Sequence, residues 1–189
     1  MDELIKRIQK ESEVDENGII RVDMFLNHQL DVELLEDIGK ALAKRFKNAK
    51  IDKVLTAESS GIAIAIFVAK ALRVPAIYAK KFQTGFIDPD VYSTETHSFA
   101  FDKSYTLRVS KRYLNEGDRI LVVDDILSNG QAVLGLLELI AMAKAEVAGV
   151  GVAIEKADRD GGKVLRRMGI DVEALVTAQR GNDGQLILT

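Results

Sequence analysis

Short β-branched apolar runs alternate along this sequence with longer stretches whose apolar residues recur at helical spacing, the pattern of a layered α/β domain. Leu4, Ile5 and Ile8 mark an amphipathic helix over Asp2 to Ser12. Asn17-Gly18 reads as a turn, and Ile19, Ile20, Val22, Phe25 and Leu26 as an apolar patch. Asp31 is a good N-cap for a helix reaching about Phe46, with Glu33 in its first turn and Leu34, Leu35, Ile38, Ala41 and Leu42 inward. Buried strands are expected over Ile51 to Ala57, Ala76 to Ala79, Ile120 to Val123, Val147 to Ile154 and Asp171 to Thr177. A last strand, Gln185 to Leu188, follows the turn Gly181-Asn182-Asp183-Gly184. Helices are expected over Ile62 to Leu72, from Val133 through Ile140, and briefly around Val164, Leu165 and Met168. The fold class is therefore α/β, an open, mostly parallel twisted sheet flanked by helices.

One segment breaks the rhythm. Phe82 to Lys103 is polar and irregular, and a connection of that length inside a compact domain is usually functional, often a lid. Part of it alternates as a strand does, with Thr96, Ser98 and Ala100 against His97, Phe99 and Phe101. Tyr105, Leu107 and Val109 alternate more clearly with Thr106, Arg108 and Ser110.

The chemistry concentrates where strands end. Ile120 to Val123 is followed by two adjacent carboxylates, Asp124 and Asp125, placed where that strand should stop. Ser128-Asn129-Gly130-Gln131-Ala132 then leads into a helix. An open α/β sheet binds ligands beyond the carboxyl ends of its strands. Amides of the turn and the first helical residues lack intrahelical partners and suit a phosphate, which Gly130 lets the backbone approach closely. Carboxylates repel a phosphate but accept hydrogen bonds from vicinal sugar hydroxyls, so pair and loop together fit a ribose 5-phosphate.

A similar strand-loop-helix plan recurs at Glu58-Ser59-Ser60-Gly61, whose amides and hydroxyls suit a pyrophosphate. The same loop also reads as an ordinary capped turn. Lys80-Lys81 ends the next strand on the same rim. The two are paired point charges for an anion, or simply a solvated strand end. Glu155-Lys156 ends another strand there. Gly149-Val150-Gly151 is no dinucleotide fingerprint, because its glycines lie within a strand.

Bulk properties narrow the classes. The 189 residues suffice for one domain, and no linker, repeat or low-complexity segment divides them. A net charge of −3 without a basic stripe disfavours nucleic acid. There is no cysteine, and the lone His28 and His97 lack companions for a metal cage. No apolar run reaches the roughly 20 residues that span a bilayer, and the acidic, amphipathic start is no signal peptide. A cytoplasmic, membrane-free protein is expected.

Strand, acidic pair, Ser-Asn-Gly-Gln-Ala turn and helix together resemble the diphosphoribosyl-binding signature of the type I phosphoribosyltransferases. The usual threonines of its phosphate loop are replaced here by Asn129 and Ala132. That variant, with Phe-Leu-Asn-His-Gln at 25–29, Glu-Ser-Ser-Gly at 58–61 and Ile-Glu-Lys at 154–156, is similar to the family's bacterial purine enzymes from about residue 2 to 179. The resemblance implies one domain, 1–189, with a hood contributed by 1–30 and about 178–189, and a flexible lid at 82–103. It implies transfer of ribose 5-phosphate from phosphoribosyl pyrophosphate (PRPP) to xanthine, or alternatively to hypoxanthine or guanine. Asp124 and Asp125 would be catalytic. Ser128 to Ala132, Glu58, Ser59, Ser60, Gly61, Lys80 and Lys81 would hold PRPP.

Ile20, Asn27 and Lys156 would bind the purine, with Lys156 donating to a C6 carbonyl that adenine lacks. Asn27 both donates and accepts, so the residues alone leave xanthine and guanine open. Magnesium would ride mainly on substrate oxygens and water, no protein metal site is implied, and a homodimer is expected. A purine- or PRPP-sensing regulator without activity is the rival reading. The charge and the length, which leaves no room for an added DNA-binding domain, argue against it. Nothing in the sequence selects a general base.

Overall fold

A computed structural model describes residues 2–14, 20–81, 89–98, 103–181 and 185–189. The apolar runs assemble one six-stranded sheet in the order β10-β9-β8-β7-β3-β4. Its members are β3 (Lys53–Ala57), β4 (Ala76–Ala79), β7 (Arg119–Leu127), β8 (Glu146–Lys156), β9 (Val172–Arg180) and β10 (Leu186–Leu188). All neighbours are parallel except β10, which closes antiparallel onto β9. The helices are α1 (Asp2–Glu11), α2 (Val32–Arg45), α3 (Gly61–Leu72), α4 (Gln131–Met142) and α5 (Gly161–Arg167). Both sheet faces are covered, which is why the inner strands are apolar throughout rather than alternating. One layer joins α1, α2 and α3 through Ile8, Leu35, Leu42 and Val68. The other joins α4 and α5 through Leu136, Ile140 and Leu165.

Local chemistry sets several boundaries as expected. Asp31 caps α2, its Oδ1 accepting from Leu34 N at 3.1 Å. Arg7 on α1 reaches back to Asp31 at 2.5 Å and to Glu11 at 2.9 Å, and lies 5.1 Å from the Phe25 ring centroid. The first helix is thus stapled to the start of the second. Gly149 and Gly151 lie within β8, where a Cβ would meet the Phe46 ring at 2.5 and 3.1 Å.

Other boundaries differ. The apolar patch near Ile20 is not one element: β1 (Glu13–Val14) and β2 (Ile20–Arg21) pair as a small ribbon, and Asp23–Asn27 forms a π-helical turn. Asn17-Gly18 lies outside the described residues, as does most of the turn before β10. β7 does not stop before its acidic pair. It continues to Leu127 because β8 keeps hydrogen-bonding alongside it, with Asp124 opposite Val152 and Leu127 opposite Glu155. Asp124 and Asp125 are therefore strand residues.

The segment 82–103 is in part regular strand, as the alternation around Thr96 and Ser98 suggested. Val91–Ser98 is strand β5, paired antiparallel along its whole length with β6 (Lys103–Ser110). Within the segment 82–103, residues 82–88 and 99–102 lie outside the described ones. The hairpin looked polar because threonines do the packing. Thr94 and Thr96 are buried, and Thr94 Oγ1 donates to Glu138 Oε2 on α4. Gly135 supplies the room, since a Cβ there would meet Thr96 Oγ1 and lie 3.0 Å from Leu107 Cδ1. Lys80 and Arg108 exchange backbone hydrogen bonds of 2.9 and 3.0 Å, tying the hairpin to the end of β4.

Candidate active site

Strand order reverses between β3 and β7: β3 leads through α3 to β4 on one side, and β7 through α4 to β8 on the other. Such a switch point opens a crevice beyond the carboxyl ends. The ladder between β3 and β7 ends at Leu55 opposite Val122, while β7 runs five residues further, to Leu127. Asp124 and Asp125 therefore stand on the wall of this opening.

Asp125 is the hub. Its Oδ2 accepts from Asn27 Nδ2 at 3.0 Å and its Oδ1 from Ser60 Oγ at 3.0 Å. Three of the regions singled out in the sequence thus meet on one carboxylate. Ser60 stands at the N-cap of α3 yet makes no cap hydrogen bond with its side chain, because its hydroxyl serves Asp125 instead. Asp124 Oδ1 accepts from the Asp125 amide at 3.0 Å. Burial and the neighbouring Asp125 charge hold the Asp124 carboxyl well above the usual range, partly offset by Lys81.

Across the crevice, Ser128 to Ala132 line a cavity of about 160 Å³ together with Asp124, His97 and Tyr105. Gly130 is the N-cap of α4 with φ of 78°, a conformation that favours glycine, and it carries no side chain to cap the helix. The first amides of α4 are thus left for a ligand, and α3 likewise opens without a side-chain cap, although its Ile62 amide donates to Ser59 O. Glu58 Oε1 accepts from the Lys81 amide, joining the loop after β3 to the residue that follows β4. Lys81 Nζ sits 4.9 Å above the Tyr105 ring centroid. Burial and Asp124 push the Tyr105 phenol upward.

The remaining sequence-derived residues are placed less directly. Ile20 is buried in the layer of α1 to α3, in the same apolar cluster as Ile154. Lys156 is buried at the end of β8, where it lies opposite Ala178 of β9. Lys80 is committed through its backbone to Arg108, and its side chain is half-buried. His28 is exposed. Among the described residues, no group of three or more His, Cys, Asp or Glu side chains could hold a metal ion.

Sequence reasoning missed Tyr105 and His97 as cavity residues, because nothing in the sequence brings a polar hairpin over α4. It also missed Thr56, whose buried hydroxyl finds no hydrogen-bond partner among the described residues and faces Gly61. A hydroxyl within an apolar strand run was the signal available.

An anion cradle at one helix start, a second at another, and an acidic pair between them fit a sugar carrying phosphate groups at both ends. Residues 26–171 match the family model described as phosphoribosyl transferase domain. The chain is 46% identical over 189 residues, with all of both chains covered, to a xanthine phosphoribosyltransferase of Ruminiclostridium cellulolyticum. It is 47% identical to the xanthine phosphoribosyltransferase of Bifidobacterium adolescentis over 180 residues, 95% of this chain and 93% of that one. Among solved structures, adenine phosphoribosyltransferase from Thermoanaerobacter pseudethanolicus shares the fold, with a TM-score of 0.76 at 22% identity over 93% of this chain and 98% of that one.

Proposed function

The chain belongs to the phosphoribosyltransferase family, and from that premise we infer that it transfers ribose 5-phosphate from PRPP to xanthine, releasing pyrophosphate, in purine salvage. The observation that carries the reading is the Asp125 carboxylate, which gathers Asn27, Ser60 and the acidic neighbour Asp124 at one crevice. Xanthine as the base follows the names of the relatives. Hypoxanthine and guanine share the C6 carbonyl, and they are the alternatives against which the enzyme is tested.

The chemistry asks for positioning and electrostatics more than for a nucleophile. As the bond to pyrophosphate lengthens, positive charge develops on the ribose and negative charge on the leaving group. Asp124 and Asp125 accept the ribose hydroxyls and face the developing cation. The amides of Ser128 to Ala132 bind the 5′-phosphate. Glu58 to Gly61, at the open start of α3, and the Lys80-Lys81 pair receive the pyrophosphate. Ile20 forms an apolar wall of the purine pocket, and Asn27 and Lys156 hydrogen-bond its polar edge. Residues 1–189 act as one domain, in which the N-terminal segment to residue 30 and residues 178–189 form the hood. Closure over the site, which excludes water, belongs to the segment 82–103.

Magnesium fits as a substrate-borne ion, because the described donors are too few to hold it alone. Held mainly by pyrophosphate oxygens and water, it would supply charge neutralisation of the leaving group. Among the described residues no helix is long and apolar enough to cross a membrane, and we place the enzyme in the cytoplasm as a homodimer. Analytical ultracentrifugation tests the dimer. Steady-state rates with xanthine, guanine, hypoxanthine and adenine, read as pyrophosphate release, test the function. Xanthine is expected to lead, and a guanine preference overturns the base assignment.

A further inference from the structure

The phosphate loop does not stand alone. Gly161, the first residue of α5, donates its amide to Ser128 O at 3.0 Å. The two backbones are in such contact that a Cβ on Gly161 would lie 2.7 Å from Gly130 N and 2.9 Å from Asn129 C, and would also collide with Ser128 O. From the other side, a Cβ on Gly130 would lie 3.2 Å from Gly161 Cα. Neither residue is replaceable by alanine without movement of the loop.

At its other end α5 is held by a two-pronged ion pair. Arg166 Nη1 and Nη2 donate to Glu155 Oε1 and Oε2 at 2.6 and 2.7 Å, and Nη2 also donates to Val172 O at 3.2 Å. Gly162 makes room for the pair, because a Cβ there would overlap Glu155 Oε1. Leu165 anchors the same helix in the core. Glu155 lies opposite Leu127, the residue before the phosphate loop, and precedes Lys156.

We propose that Glu155 and Arg166, acting through α5 and Gly161, are positioning residues that hold the 128–132 loop in its anion-binding shape. None of them touches the substrate. The inference rests on the assignment of that loop to the 5′-phosphate and names what keeps it preorganised. Planar guanidinium and carboxylate meet in parallel, a geometry that lysine cannot reproduce. The pair is fixed in angle as well as distance, so helix α5 has one seating against the loop.

The test is the affinity for ribose 5-phosphate, measured by calorimetry on the intact protein, with KM values for PRPP and xanthine. Arg166→Gln and Gly161→Ala are expected to weaken ribose 5-phosphate binding and raise the KM for PRPP about tenfold, with the KM for xanthine changed less than twofold. Arg166→Lys should recover only part of the loss. Should Gly161→Ala fail to fold, Arg166→Gln decides, because its side chain is 44% exposed at the far end of the helix. A lower melting temperature with unchanged affinity for ribose 5-phosphate would overturn the proposal and leave the pair merely structural. Wild-type protein that binds ribose 5-phosphate more tightly than the variants yet releases no pyrophosphate would remove the enzymatic reading and leave the buttress standing.

Discussion

Asn27 donates its amide to Asp125 Oδ2 at 3.0 Å across 98 residues of sequence. A residue from the π-helical turn thereby touches the carboxylate proposed for the ribose, so the proposed base and sugar subsites share a wall. Hydrogen bonds to a charged group contribute about 1.5–3 kcal/mol. Asn27→Ala should raise the KM for xanthine about tenfold or more while the fold persists. Initial rates at varied xanthine with saturating PRPP check this, and an unchanged KM removes Asn27 from the purine subsite.

Asp124 carries a conflict between stability and chemistry. Its folded carboxyl titrates above the ordinary value of 3.8 because burial and Asp125 oppose its charge. The folded state therefore holds this proton more tightly than the unfolded chain does. The penalty is absent below pH 3.8, grows as pH rises toward the folded value, and is full beyond it. Asp124→Asn should accordingly melt higher than wild type at neutral pH, with the advantage fading toward pH 3.8. Its kcat should fall about 10²- to 10³-fold. A pH series of melting curves, paired with turnover, reads both.

Asp31 behaves in the opposite sense. The Leu34 amide and Arg7 hold its carboxyl below 3.8, so its contribution is complete above that value and drains away as pH falls through the folded one. Asp31→Asn should lower the melting temperature at neutral pH, and the gap to wild type should narrow in acid. An equal gap at every pH would show that the α1–α2 staple does not depend on this charge.

Gly130→Ala meets two obstacles, a left-handed φ of 78° and a Gly161 Cα 3.2 Å from the new methyl. Left-handed backbone costs a side-chain-bearing residue about 1–2 kcal/mol. Denaturant unfolding should show at least that loss, with a raised KM for PRPP and little change for xanthine.

Much of this arrangement was legible before any coordinates. Arg119 to Ala132 combines a buried strand, two acids and a glycine turn in consecutive residues, so local pattern sufficed there. The Asp31 cap was equally local. What escaped depends on contacts that no window of sequence contains. Strand β5 buries Thr94 and Thr96 against Gly135 and Glu138, so its inward face lacks the apolar alternation by which Leu107 and Val109 mark β6. The length of β7 was misjudged because charged residues suggested an end, while pairing with β8 carried the ladder to Leu127. Nothing local marks Gly161, whose amide meets Ser128 O only because the chain folds back on itself.

Helices α3 and α4 both begin without a side-chain cap. A polar cap is ordinarily worth about 0.5–2 kcal/mol to the helix it closes, and on the proposed assignment of these two starts to phosphate groups a bound anion supplies it. Heat resistance should therefore track donor supply: a purified sample saturated with PRPP ought to withstand appreciably warmer conditions than an empty one. Idle enzyme, starved of phosphorylated sugar, would be the first to be lost to proteolysis.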